Sequence, residues 1–154
     1  MNYKFVVSLV IVLLTIPVRV WAGGDEEAKV RDVVLANAAA FERGDFDGIA
    51  KVWAHDENIV VIESGHVEVG WQEFGEKHLK PELGILKNVV YKLDDLRVRV
   101  NGNAAWASFT YNFEADVQDR HIVSQGVGTM VLEKREGRWL IVHSHTTRVP
   151  KKDQ

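Results

Sequence analysis

The 154-residue chain contains no cysteine, which excludes disulfides, thiolate metal sites and thiol nucleophiles and leaves packing to hold the fold. Proline is nearly as scarce, with three residues, so long stretches are free to form unbroken helices or strands. Neither sign of charge dominates. Nineteen basic and 22 acidic side chains give a formal net charge of −3, which argues against nucleic acid or an anionic membrane as partner. Internal repeats and low-complexity tracts are absent, so one domain is expected. Long apolar runs are absent too, with one exception near the start.

That exception is Phe5 to Val18, preceded by Lys4 and followed by Val20-Trp21-Ala22. A basic lead, an apolar run and a small residue at the end predict a secretory signal peptide over residues 1–22. The run is shorter than the roughly 20 residues a membrane helix needs. Arg19 and Trp21 leave an uncleaved N-terminal anchor as the alternative. The expected mature unit is a single domain over residues 23–154, periplasmic or secreted, with no membrane contact after cleavage. Loss of Lys4 and Arg19 makes it more acidic than the full chain.

Ala28 to Arg43 carries Val30, Val33, Val34 and Phe41 at helical spacing. Gly44 is placed to end that helix in a left-handed conformation, and Asp45 to cap a short second one through Phe46, Ile49, Ala50 and Trp53. Ile59–Glu63 reads as a short strand ended by Ser64-Gly65, with His66 and Glu68 in the loop that follows. A third helix has Trp71, Phe74 and His78 on one side and is ended or kinked by Pro81.

From there the period is two. Val89, Tyr91 and Leu93 share one face, and Leu96, Val98 and Val100 follow in the opposite phase. The slip across Asp94-Asp95 predicts a β-bulge, and Asn101-Gly102 a tight hairpin. Further strands run over Ala104–Glu114, His121–Glu133 and Arg138–Thr147, joined by polar turns. Helices first and long strands afterwards predict an α+β fold: a cone-shaped, curved antiparallel sheet with three helices on its concave face and a pocket between.

The closing Trp139-Leu140-Ile141-Val142-His143-Ser144-His145-Thr146-Thr147, with Gly44-Asp45-Phe46 and Val69-Gly70-Trp71, resembles the nuclear transport factor 2-like superfamily. Within it, SnoaL-like proteins and the association domain of calcium/calmodulin-dependent protein kinase II look most similar. The resemblance spans roughly Glu26 to Val149. It implies a cone that dimerises through its outer sheet face, in a superfamily of isomerases, cyclases, dehydratases, hydrolases and non-catalytic assembly modules. Pocket arginines of the kinase association domain correspond here to Ser108, Met130 and Thr146, implying a more neutral pocket. The same alignment turns Trp106, Ser108, Thr110, Met130 and Ser144 inward, and Phe109, Tyr111, Phe113, His143 and His145 outward.

Each candidate group has a chemical and a structural reading. Glu63, near where isomerase relatives place a carboxylate base, is a general base in an apolar pocket or a solvated turn acid. His78 is a proton carrier inside the cone or a core histidine, and Trp71 is its pocket-wall neighbour. His143 and His145 lie two apart on one strand face, where they ligate a metal with His121 or serve sheet and interface hydrogen bonds. The expected function is an exported small-molecule pocket protein for an apolar or weakly polar ligand. Trp71, Trp106, Ser108, Thr110, Met130, Ser144 and Thr146 would shape the site. Glu63 or His78 would supply cofactor-free isomerase or hydratase-type proton transfer, if the protein is an enzyme. A non-catalytic homo-oligomerising module and a histidine metal site are the alternatives.

Overall fold

Twenty residues from Gly23 to Glu42 form α1, which begins with acidic Asp25 and Glu26 where the helix dipole favours them. These belong to residues 23–150, the part described by the computed structural model. The expected signal segment 1–22 lies outside the described residues. Val30 and Val34, both fully buried, put one face of α1 against the sheet. Glu26 ties the start of the helix to the far strands, accepting from Lys134 Nζ and Trp139 Nε1, each at 2.7 Å. Those bonds, with one from Lys29, hold its carboxyl down at about 2. Gly44, at φ 65°, ends the helix, and the Asp45 carboxylate accepts from Gly48 N–H at 2.8 Å to start α2 (Phe46–Ala50).

β1 (Val60–Glu63) is followed by β2 (His66–Val69), a strand where a loop was expected. Ser64 and Gly65 both have positive φ, 49° and 92°. That backbone twist closes a two-residue hairpin and brings Glu63 opposite His66.

The third helix also differs from expectation. A π-helical segment, Gln72–Leu79, runs without a break into α3 (Lys80–Ile85), so Pro81 does not stop the chain's helical course. The wide turns shift the hydrogen bonding, with Lys80 N–H reaching Gly75 O five residues back. Pro81 therefore falls in the first turn of α3, where its missing N–H is tolerated.

β3 (Lys87–Asn101), β4 (Ala104–Val117), β5 (Arg120–Arg135) and β6 (Arg138–Arg148) complete a six-stranded sheet of order β2-β1-β6-β5-β4-β3. Its pairs are antiparallel except β1–β6, which is parallel and sets Glu63 beside Thr146. The register of β3 on β4 slips between Asp94 and Arg97, with Asp95 at φ 52°, as the sequence predicts. Ala105, Ala107, Phe109 and Tyr111 of β4 face the helices together with Leu132, Trp139 and Ile141. Two glycines of β5 allow the rings to lie flat. A Cβ at Gly128 would stand 2.5 Å from the Phe109 ring, and one at Gly126 the same distance from the Tyr111 hydroxyl. Among the described residues no helix is long and apolar enough to cross a membrane.

Candidate functional site

Between the helices and the inner sheet face the cone encloses a cavity of about 140 Å³. Its aromatic wall comes from distant parts of the chain. Phe41 of α1 stands 5.3 Å from the Tyr91 ring of β3, and Tyr91 stands 5.7 Å from Tyr111 of β4. Phe113 closes on the same rings at 6.3 Å. Across the cavity, Trp53 packs 4.8 Å from Phe74 of the π-helical segment. The buried Trp53 indole donates to Asn37 Oδ1 at 2.8 Å, fixing both side chains in the wall. Met130, Ser144, Thr146 and Ser124 form the floor from β5 and β6.

Three charged groups open on this space: Glu63 at the end of β1, Glu82 in α3 and Arg148 at the end of β6. The protonation of Glu82 is altered by its surroundings. Burial pushes its carboxyl above the usual range, the Glu63 charge adds to that, and His78 and Arg148 act against it. His78 stands behind Glu82. Its Nδ1 donates to Glu68 at 2.7 Å, and its Nε2 lies 3.9 Å from Glu82. Burial opposes the imidazolium, but the Glu68 hydrogen bond and the nearby Glu82 and Glu63 outweigh it and raise His78 above its ordinary value. Burial and Glu63 also push both cavity phenols, Tyr91 and Tyr111, upward.

The chain thus brings a Glu68–His78–Glu82 chain of contacts to the wall of an aromatic cavity. Of the residues expected there, Glu63, Met130, Ser144 and Thr146 line it, and His78 touches it through Glu82. Trp71 stands one layer back, buried against Trp53 and Phe74 and stacked on the His55 ring at 4.4 Å.

Trp106, Ser108 and Thr110 are not in the cavity. They face outward, Trp106 at 47% exposed and Ser108 and Thr110 in a shallow outer groove beside the β3 bulge. Phe109, Tyr111 and Phe113, expected on the outer face, take the inward positions instead. The alternation of β4 is as anticipated and its phase is reversed, and one step of phase moves every side chain to the other face.

His145 also lies in the outer groove. The three histidines of the metal reading do not converge. His143 sits opposite Val131 of β5, whereas His121 sits ten positions earlier on β5, opposite Asp116 and bonded to it at 2.7 Å. At about 3.3 Å per residue that is roughly 33 Å along the strand. Among the described residues no three His, Asp or Glu side chains are arranged to hold a metal ion.

Glu82 carries a signal that sequence reasoning had within reach. It stands four residues after His78, the spacing of one helix face, and went unread because the helix was taken to end or kink at Pro81. The aromatic wall offered no comparable signal, since its members are scattered over α1, the Trp53 segment, the π-helical segment, β3 and β4.

A family model described as a SnoaL-like domain matches residues 30–150. No curated protein gives a significant match. Among solved structures, a nuclear transport factor 2-like superfamily protein from Salmonella enterica is 21% identical, with a TM-score of 0.77 over 84% of this chain and 95% of that one. A Xanthomonas campestris protein provisionally named a calcium/calmodulin-dependent protein kinase II association domain is 24% identical, with a TM-score of 0.65 over 80% and 87%. A Shewanella frigidimarina protein provisionally named a ketosteroid isomerase is 25% identical, with a TM-score of 0.65 over 75% and 92%.

Proposed function

The chain belongs to the SnoaL-like domain family of the nuclear transport factor 2-like superfamily, and from that premise we propose that it binds a small, largely apolar molecule in the cone and transfers a proton to or from it without a cofactor. The observation that carries this reading is Glu82. A carboxyl held above its ordinary range by burial keeps its proton nearer to neutral pH, as a general acid for isomerisation or hydration must. In this reading His78, bonded to Glu68 and 3.9 Å from Glu82, exchanges that proton with the outside. Glu63, the carboxylate expected from sequence, acts as the second charge that keeps Glu82 protonated. The provisional isomerase name of one structural neighbour agrees with this class of chemistry.

Met130 gives a direct test. It lines the cavity and is the single methionine outside the N-terminal residue, so a ¹³C-methyl methionine label reports from the site. One-ring allylic alcohols and enones, titrated in D₂O, should shift the Met130 methyl and acquire deuterium. The Glu82→Gln protein should still show the shift while its exchange rate falls by about 10²-fold or more. Exchange at the wild-type rate in Glu82→Gln would end the catalytic reading. An unmoved Met130 signal across the series would end the pocket reading as well.

A second reading concerns assembly. Trp106, Val123 and Val127 are each about half exposed on the outer face of β4 and β5, which favours a homodimer through that face. Light scattering at micromolar concentration should show twice the chain mass, and a strict monomer would dismiss it. Export to the periplasm or medium is proposed from the N-terminal pattern alone, and an exported product beginning at Gly23 by mass spectrometry would support it.

A further inference from the structure

The charges and rings of the cavity specify a sign for the ligand, an inference that rests on the pocket reading above. Glu63 and Glu82 both open on the cavity, and among the described residues neither has a lysine or arginine within 4 Å. The same cavity is lined by Phe41, Tyr91, Tyr111 and Phe113, whose neighbouring ring centroids lie 5.3–6.3 Å apart. Tyr111 lines the cavity, and none of the hydrogen bonds among the described residues uses its hydroxyl, which is free to meet a ligand.

Aromatic faces carry negative charge density and attract a cation, the more so where it is desolvated. The Glu63 carboxylate acts in the same sense, and Glu82 stands 3.9 Å from His78 Nε2. Burial is the main cause of the upward shifts of Glu82, Tyr91 and Tyr111, and the Glu63 charge adds to these and to that of His78. Such a cavity disfavours an anionic ligand. Arg148 is the opposing charge, exposed at the end of β6.

We propose that this cavity is a site for a small aromatic or cyclic amine, bound as its ammonium ion. The ring would lie among Phe41, Tyr91 and Phe113, with the ammonium directed at Glu63, Glu82 and the Tyr111 oxygen. A primary ammonium has three N–H donors, and these three side chains supply acceptors for them. The size agrees, because an apolar protein cavity of about 150 Å³ takes a benzene-sized molecule.

Three probes with one ring and three charges test this at pH 7: benzylamine, benzyl alcohol and benzoate, each titrated against the Met130 methyl signal. Benzylamine should bind at least about tenfold more tightly than benzyl alcohol, and benzoate most weakly. The preference for amine over alcohol should shrink in Glu63→Gln, and the wild-type series decides the matter if that variant does not fold. Benzyl alcohol binding as well as the amine would overturn the cation proposal while leaving the pocket intact. Benzoate binding tightest would overturn it in favour of Arg148. If none of the three moves the Met130 signal, the pocket reading fails and the proposal with it.

Discussion

The two faces of β4 and β5 are made of similar residues and do different work. On the inner face Phe109 and Tyr111 are buried over Gly128 and Gly126, with small Ala105 and Ala107 at the closed end and Met130 below the cavity. On the outer face Trp106, Val123 and Val127 are about half exposed among Ser108, Thr110 and Thr129. An aromatic side chain is therefore no guide to the inside of this cone. The inner face is marked by what lies across from its rings, glycine on the neighbouring strand, and by the alanines beneath the helices.

Neighbouring residues of one strand give the sharpest test of that contrast. Phe109→Ala should cost about 3–5 kcal/mol in urea unfolding, while the adjacent Ser108→Ala should change stability by less than about 0.5 kcal/mol. Equal effects would mean the faces are not distinct. A smaller loss is expected one strand over. In Gly126→Ala the new methyl would meet Tyr111 and the Thr147 carbonyl, a backbone atom that cannot swing aside, at a cost of about 1–3 kcal/mol. Val127→Ala, on the exposed side, should be close to neutral.

The inner face also differs in its response to pH. Glu82 binds its proton more tightly in the folded chain than at its ordinary 4.5. Below that value it is protonated whether folded or unfolded, and stability is unaffected. As pH rises toward and through the raised folded value, ionisation in the cavity costs stability. Glu82→Gln should therefore match the wild type at acid pH and exceed it progressively toward neutrality in thermal unfolding. A constant difference across that range would remove Glu82 as the cause. Trp106→Arg should have the smallest effect on the monomer. Its Tm and the response of Met130 to benzylamine should be unchanged, while any dimer seen by light scattering is lost. Loss of the Met130 response in Trp106→Arg would return Trp106 to the cavity.

Much of the fold was legible where the cause is local. Gly44 followed by Asp45 marks the turn between α1 and α2 because one residue must adopt positive φ and the next must cap. The Asp94-Asp95 slip and the Asn101-Gly102 hairpin were legible for the same reason. Ser64-Gly65 carried an equally local signal for the β1–β2 hairpin, and its second strand was passed over because it has only four residues. The candidate site was legible in part. Glu63, Met130, Ser144 and Thr146 fell in place, but Glu82 was hidden by Pro81, Tyr111 was assigned to the outer face, and Tyr91 was given no side.

By itself, then, the sequence determined the order of elements apart from β2, the α+β class, the bulge and the family resemblance, since turns, caps and periodicities act over a few residues. Only the tertiary structure decided which face of β4 is inside, that the helix continues through Pro81, and that His78 is held between Glu68 and Glu82. The physical reason is range. A period of two has two phases of equal local quality, and the choice between them is made by α1 and β5 packing against the strand from elsewhere in the chain. The coupling of Glu63, His78 and Glu82 has the same origin, because they are neighbours only once β1, the π-helical segment and α3 have met.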